Sequence, residues 1–306
     1  MIGHRHKGLQ TNLAVRAQVI QAIRQFFIEQ DYLEIETPIR IPAPAPEAHI
    51  DAVESGAWFL QTSPELCMKR LLAAGFPRIF QICKCFRQGE RGRLHLPEMT
   101  LLEWYRTDID YEDLMDECEA LINSVARQTE TTDMLSDQGL RINLAPPWPR
   151  ISVKSAFEQY ASMTLEEALQ KDQFDEIMVD EIEPRLVRSQ PVFVVDYPAP
   201  RSTLAKCKPQ DPRYAERFEL YMGGVEICNA FSELTDPDEQ KARFEGENDL
   251  RRKAGKTVYP MSEHFLAALK DLPAAAGNAL GIDRLVMLFA GARHIDDVVA
   301  FAPEEL

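Results

Sequence analysis

The stretch Phe86–Tyr105, FRQGERGRLHLPEMTLLEWY, decides how this 306-residue chain is read. It packs Arg87, Glu90, Arg91, Arg93, His95, Glu98, Glu103 and Tyr105 into a single unit. The runs before and after its loop, RIFQICKCF and TLLEWYRT, are rich in β-branched and aromatic residues and read as strands. Between them the sequence is polar and basic, suited to a loop that closes over an anion. Side chains alternate along the second strand, so Leu101, Glu103 and Tyr105 share one face. A carboxylate beside a phenol can hold an ammonium group, and an arginine ending the neighbouring strand can hold a phosphate. The pattern predicts a site that takes a nucleotide and an amine together.

Outward from this unit, bulk properties describe an enzyme-sized chain with a substantial core. Hydrophobic residues make up 45% of it, enough for one large or two ordinary domains. No apolar run is long enough to span a bilayer, and MIGHRHKGLQTN leads into a helix rather than a signal segment. That helix is expected to start at an Asn12 N-cap, with Leu13, Ala17, Ile20, Ile23 and Phe27 as its apolar stripe. The six cysteines are scattered without a zinc spacing, so reduced thiols in a cytoplasmic protein are expected. The net charge of −15, from 34 basic and 49 acidic residues, disfavours a long nucleic-acid partner. Residues 131–150 are polar and then proline-rich and read as a connector. Helical patterns follow to about residue 190, and PVFVVDYPA reads as a buried strand.

RFELYMGGVEICNAFSEL, Arg217–Leu234, is a second concentration of chemistry. Gly223-Gly224 between two strand-like runs predicts a tight hairpin. A two-residue turn there sets Met222 against Val225, Tyr221 against Glu226 and Glu219 against Cys228. Glu219 and Glu226 become diagonal neighbours, roughly 7 Å apart at the backbone. Two carboxylates so placed form either a solvated acidic face or a site for a hard cation such as Mg²⁺ shared with phosphates.

FRQGE…HLPEMTLLEWY resembles motif 2 of the class II aminoacyl-tRNA synthetases, here about residues 78–106. GNALGIDRLVML resembles their motif 3, about 277–291, and FFIEQDYLEIETPIR resembles motif 1, about 26–40, with Pro38 at the family's dimer-interface proline. Three motifs in this order imply an α+β catalytic domain, an antiparallel β-sheet flanked by helices, spanning 1–306 with a helical insertion at about 131–190. The resemblance also implies a homodimer. CNAFSEL and QTSPELCMKRLL resemble the lysyl-tRNA synthetase pattern. No N-terminal OB-fold is expected, because the motif 1 helix starts almost at once.

From that resemblance follows a set of roles. ATP would meet Arg87, Glu90, Arg93, His95, Met99, Glu219, Glu226 and Arg284, with Glu219 and Glu226 on Mg²⁺. Arg87 and Arg284 would stabilise the transferring phosphates. Lysine would meet Glu65, Glu103, Tyr105, Asn229, Glu233 and Ala279. Three departures stand out: Ala279 replaces a motif 3 glycine, Met99 replaces an adenine-stacking phenylalanine, and FRQGE has one extra residue between arginine and glutamate. A short lysyl-type chain with alanine at 279 resembles the elongation factor P lysine lysyltransferases. This implies activation of (R)-β-lysine or α-lysine as an adenylate and its transfer to a lysine ε-amine of elongation factor P. Two rivals stay open: a paralogue that charges tRNA or another acceptor, and a non-catalytic regulatory paralogue.

Overall fold

Strand β1 (Leu33–Glu34) is short, whereas β2 (Arg78–Phe86) and β3 (Glu98–Thr107) pair along their whole length, from Arg78 opposite Arg106 to Phe86 opposite Glu98. They belong to a computed structural model that describes residues 2–131, 134–137 and 140–306. The central sheet continues with β4 (Arg150–Ser152), β5 (Val192–Val195), β6 (Arg217–Met222), β7 (Val225–Ser232) and β8 (Ala275–Gly281). Spatial order is β1-β2-β3-β8-β7-β6-β5-β4. The expected antiparallel pairing holds through the centre, while both edge pairs, β1–β2 and β5–β4, are parallel.

Alternation gives this sheet two unlike faces. One carries Phe80, Leu102, Trp104, Leu220, Ala230 and Leu280, all fully buried. Helices α1 (Ile2–Glu29), α3 (Tyr111–Gln128) and α9 (Ile282–Phe289) cover it in one core. Phe27 of α1 stacks on Phe80 at 4.8 Å. Removing such a side chain from water contributes about 1.5–3 kcal/mol. A one-residue slip of β3 would expose Leu102 and Trp104 and bury Glu103 among apolar groups, so register is firmly set. The other face is polar and open. Helices α2 (Glu65–Ala73), α7 (Pro237–Lys253) and α8 (Glu263–Leu269) pack at one end of it, around Met68, Phe244 and Phe265.

The N-terminal helix differs from its expectation. Its backbone is helical from Ile2, so Asn12 lies inside the helix, where its amide donates to the Asp297 carbonyl at 2.9 Å. Ala17 is exposed, and the buried stripe is Val19, Ala22, Ile23, Phe26 and Phe27. Ile23 and Phe27 of the expected stripe are thus in the core, and Ile20 packs against it, while Ala17 is not part of it.

The 131–150 segment is also more regular than a connector. It holds a hairpin, Met134–Asp137 with Leu140–Asn143, and then β4. Residues 132–133 and 138–139 of the segment lie outside the described residues. Ile142, Leu144 and Trp148 are buried, and Trp148 packs on Phe193 at 5.7 Å; these apolar side chains outweigh the polar composition. Helices α4 (Val153–Tyr160), α5 (Leu165–Gln170) and α6 (Phe174–Ile177) follow, then a π-helical turn, Met178–Ile182. They close a small core of their own over Val192, Val194 and Tyr221.

Candidate active site

Two cross-strand rows on the open face bring the distant motifs together. One row runs Gln81–Glu103–Ala279–Asn229–Glu219, and the next runs Ile79–Tyr105–Gly277–Phe231–Arg217. The hairpin register corrects the sequence expectation. Tyr221 faces Glu226 and Met222 faces Val225 as expected, but Glu219 faces Asn229, not Cys228, because the register shifts between Leu220 and Tyr221. This bulge adds one residue to β7 and reverses the facing of everything beyond it. Without it Asn229 would point into the apolar core.

A cavity of about 130 Å³ lies over these rows, lined by Glu65, Glu103, Tyr105, Asn229, Gly277 and Ala279. Glu103 is fully buried and accepts from Ser63 Oγ at 2.7 Å and Tyr105 Oη at 2.8 Å. Loss of hydration, reinforced by the Glu65 charge, pushes its carboxyl up to about 7. Gly277 is required here, since a Cβ would collide with the Tyr105 ring and come within 2.8 Å of Glu233 Oε1.

Sequence reasoning missed Lys69. Its ammonium is buried, ion-paired with both Glu65 and Glu233, and lies 5.0 Å from the Phe231 ring centre. Burial opposes that charge, yet Glu233 and Glu65 hold the lysine above its ordinary range. Burial pushes Glu233 up to about 8 in spite of Lys69. Neither Glu233 oxygen accepts a well-formed hydrogen bond among the described residues. The only local sequence signal was the i,i+4 spacing of Glu65 and Lys69 along one helix face. Glu65 and Glu103 thus line the cavity together with Glu47, Arg87, Arg201 and Arg217, and Lys69 pairs with Glu233 behind them.

A second cavity, about 280 Å³, opens beside the first and contains Arg87, Glu90, His95, Met99, Glu226 and Arg284. The smaller space suits an amino acid and the larger a nucleotide. Arg87 lines both, and its buried Nε has no hydrogen-bond acceptor among the described residues. A buried donor left unpaired in this way fits an anionic ligand. Gly89, at φ 77°, absorbs the extra residue of FRQGE, and Glu90 turns back to lie 3.6 Å from Arg87. Arg284 donates to the Glu226 carboxylate at 3.1 Å and lies 2.7 Å from His95 Nε2. Burial and the Arg284 charge hold His95 below its ordinary range, so the ring is the neutral acceptor in this contact. Arg93 stands apart: its guanidinium reaches the Arg293 carbonyl at 3.4 Å and lines none of these cavities.

Asp283 of motif 3 serves architecture. It accepts from the Thr100 amide at 2.7 Å and from Arg16 at 2.6 Å, which pins α9 to β3 and α1.

Glu219 and Glu226 line a third cavity, about 300 Å³, with Glu183, Tyr197 and Tyr221. Glu219 accepts from Tyr197 at 2.6 Å, Tyr221 at 2.8 Å and Arg217 at 2.6 Å. Burial pushes it above the usual carboxylate range despite Arg217. Burial likewise lifts Glu183 to about 7. Among the described residues no group of three or more His, Cys, Asp or Glu side chains is arranged to hold a metal by itself. Two hard oxygen ligands fit a divalent cation whose remaining ligands come from phosphates and water.

A nucleotide-sized cavity joined through Arg87 and Arg217 to a carboxylate-lined amine pocket, on a largely antiparallel sheet, defines a class II synthetase site. The chain belongs to the class II tRNA synthetases (D, K and N), whose family model matches residues 1–305. Among individual proteins it is similar to the elongation factor P–(R)-β-lysine ligase of Vibrio atlanticus (strain LGP32), 40% identical over 306 residues covering 94% of each chain. The ligases of the same name from Vibrio cholerae and Pectobacterium atrosepticum are each 40% identical, covering 95% and 96% of this chain and 95% of the relative.

Proposed function

We propose that this chain is an ATP-dependent ligase that activates lysine, chiefly (R)-β-lysine, and transfers it to a lysine ε-amine of elongation factor P. The carrying observation is the charge of the amine pocket. Glu65 and Glu103 line it and Glu233 pairs with Lys69 behind them, while Arg87 and Arg217 lie toward the nucleotide cavity. That complements a molecule with two ammonium groups and one carboxylate. Support for the acceptor comes from the names of the relatives, and the acidic net charge argues against tRNA.

In this reading Glu65, Glu103 and Glu233 take the two ammonium groups, and Tyr105 fixes Glu103. Asn229 and Ala279 shape the wall between amine and nucleotide. Arg87 steers the substrate carboxylate onto the α-phosphorus of ATP: a P–O bond forms there, and the bond to pyrophosphate breaks. No proton needs to move, so positioning and charge stabilisation carry the step. Arg284, oriented by neutral His95, faces the departing phosphates, with Glu90 and Met99 toward the base. Glu219 and Glu226 would hold Mg²⁺, which would supply charge neutralisation. Arg93 would reach the nucleotide only by movement of its loop.

Ile28, Leu33 and Ile39 are exposed within the motif 1 stretch, and exposed Trp58 lies against its Arg40, which supports a homodimer through the motif 1 region. All six cysteines are free thiols, which supports a reducing, cytoplasmic setting. No helix among the described residues is long and apolar enough to cross a membrane.

The test is the intact mass of elongation factor P after incubation with this protein, ATP, Mg²⁺ and either lysine isomer. Gain of one lysyl unit, dependent on ATP, is expected. Absence of any gain, with pyrophosphate exchange intact, would keep the activation half and remove this acceptor.

A further inference from the structure

Glu47 and Arg217 are the two residues that line all three cavities. In the reading above, the reactive carbonyl of a lysyl-adenylate lies where the amine pocket meets the nucleotide cavity. The third cavity opens onto that same point. Arg217 is committed there, to Glu219, to Asn229 Oδ1 at 3.0 Å and to the Arg201 carbonyl. Glu47 is not. Its carboxylate has no hydrogen-bond or ion-pair partner among the described residues.

Each other carboxylate lining these cavities is occupied. Glu247 accepts from the Ala48 amide and from Thr203, Glu183 accepts from Tyr221, and Asp175 pairs with Arg201; the rest were described above. The segment carrying Glu47 is nevertheless held firmly. Buried Arg251 donates to the Glu47 and Ile50 carbonyls at 2.8 Å each, and Lys256 donates to the Ala48 carbonyl at 3.0 Å. A fixed backbone presenting one free carboxylate at the meeting point of three cavities has the geometry of a proton acceptor.

We propose that Glu47 is the general base of the transfer step, accepting a proton from the acceptor lysine as its nitrogen attacks the adenylate carbonyl. This rests on the lysine-ligase reading. Activation itself consumes no base, but transfer does, because an acceptor lysine of ordinary pKa, about 10.4, is almost wholly protonated at neutral pH. The ε-ammonium gives one proton to Glu47, and the freed electron pair forms the C–N bond. The C–O bond to the adenylate phosphate then breaks with its pair leaving on AMP, and the second nitrogen proton passes to a phosphate oxygen. Loss of hydration, with the Glu65 charge adding to it, pushes the Glu47 carboxyl up to about 7 against the pull of Arg87. Glu247 and Arg217 also face it, with opposite effects.

The test uses the full chain with ATP, Mg²⁺ and the better lysine isomer, comparing wild type, Glu47→Gln and Glu47→Asp. Three rates are read: pyrophosphate exchange, transfer to elongation factor P, and capture of the adenylate by hydroxylamine, a nucleophile already unprotonated at neutral pH. Transfer by Glu47→Gln is expected to fall about 100-fold or more relative to the other two rates. Wild-type transfer should rise to a plateau as pH passes about 7, and so should Glu47→Asp, whereas Glu47→Gln should keep rising with pH toward the acceptor lysine's own pKa of about 10.4. Equal losses in all three rates, or undiminished transfer, would overturn the role. No exchange in wild type with either isomer would instead remove the lysine-ligase reading, and this role with it.

Discussion

The Lys69 ammonium is ion-paired with the Glu233 carboxylate at 1% and 0% side-chain exposure, inside a pocket that complements the ammonium groups of a ligand. An internal lysine thus sets how much negative charge remains for the substrate.

Removing that cation leaves Glu233 buried among like charges. Lys69→Met should cost about 3–5 kcal/mol of unfolding free energy at pH 8. The sign of the pH effect follows from the raised Glu233 value of about 8. A carboxyl that binds its proton more tightly folded than unfolded stabilises the fold at low pH and loses that contribution as pH rises through its folded pKa. The variant's deficit should therefore shrink at pH 6, where Glu233 is protonated. Urea unfolding at both pH values checks this, and equal deficits would deny the pairing its electrostatic role.

Lysine binding should release protons. Glu103 and Glu233, held near 7 and 8 when the pocket is empty, ionise when an ammonium arrives. Affinity should rise with pH from about 6 to 8. Calorimetry at pH 7 in buffers of different ionisation enthalpy reads the release directly; heats independent of buffer would contradict it.

Ala279 lies between Asn229 on β7 and Glu103 on β3, so its methyl group reduces the space available to the amine. Ala279→Gly should move preference toward α-lysine, by up to about 10–200-fold for a change of this size, worth roughly 1–3 kcal/mol. The ratio of kcat/KM for the two isomers is the measurement, and an unchanged ratio would take Ala279 out of specificity.

Ile39 is 44% exposed and Leu33 51% exposed beside Pro38. Ile39→Glu together with Leu33→Glu should halve the solution mass measured by light scattering if these side chains close a dimer. A mass equal to that of wild type would place the subunit contact elsewhere.

Much of this was legible in the residues themselves. Alternation in β3 correctly put Glu103 and Tyr105 on one face, because burial of Leu102 and Trp104 on the other admits one register. The glycine pair Gly223-Gly224 correctly marked the turn of the β6–β7 hairpin. Less readable was the start of α1, where Asn12 had capping chemistry but found its partner in the Asp297 carbonyl. The proline-rich run before β4 was misleading for a similar reason. Its few apolar residues pack against strands distant in the chain.

The sequence alone determined which residue types carry the chemistry and which local faces they share, since period-two alternation and turn residues act over a few positions. The tertiary structure decided which of those faces meet. The bulge in β7 turned Asn229 toward the site, α2 brought Lys69 between Glu65 and Glu233, and the Arg251 tether carried Glu47 to the junction of three cavities. Each depends on contacts between segments far apart in the chain, which long-range packing selects and local propensity does not encode.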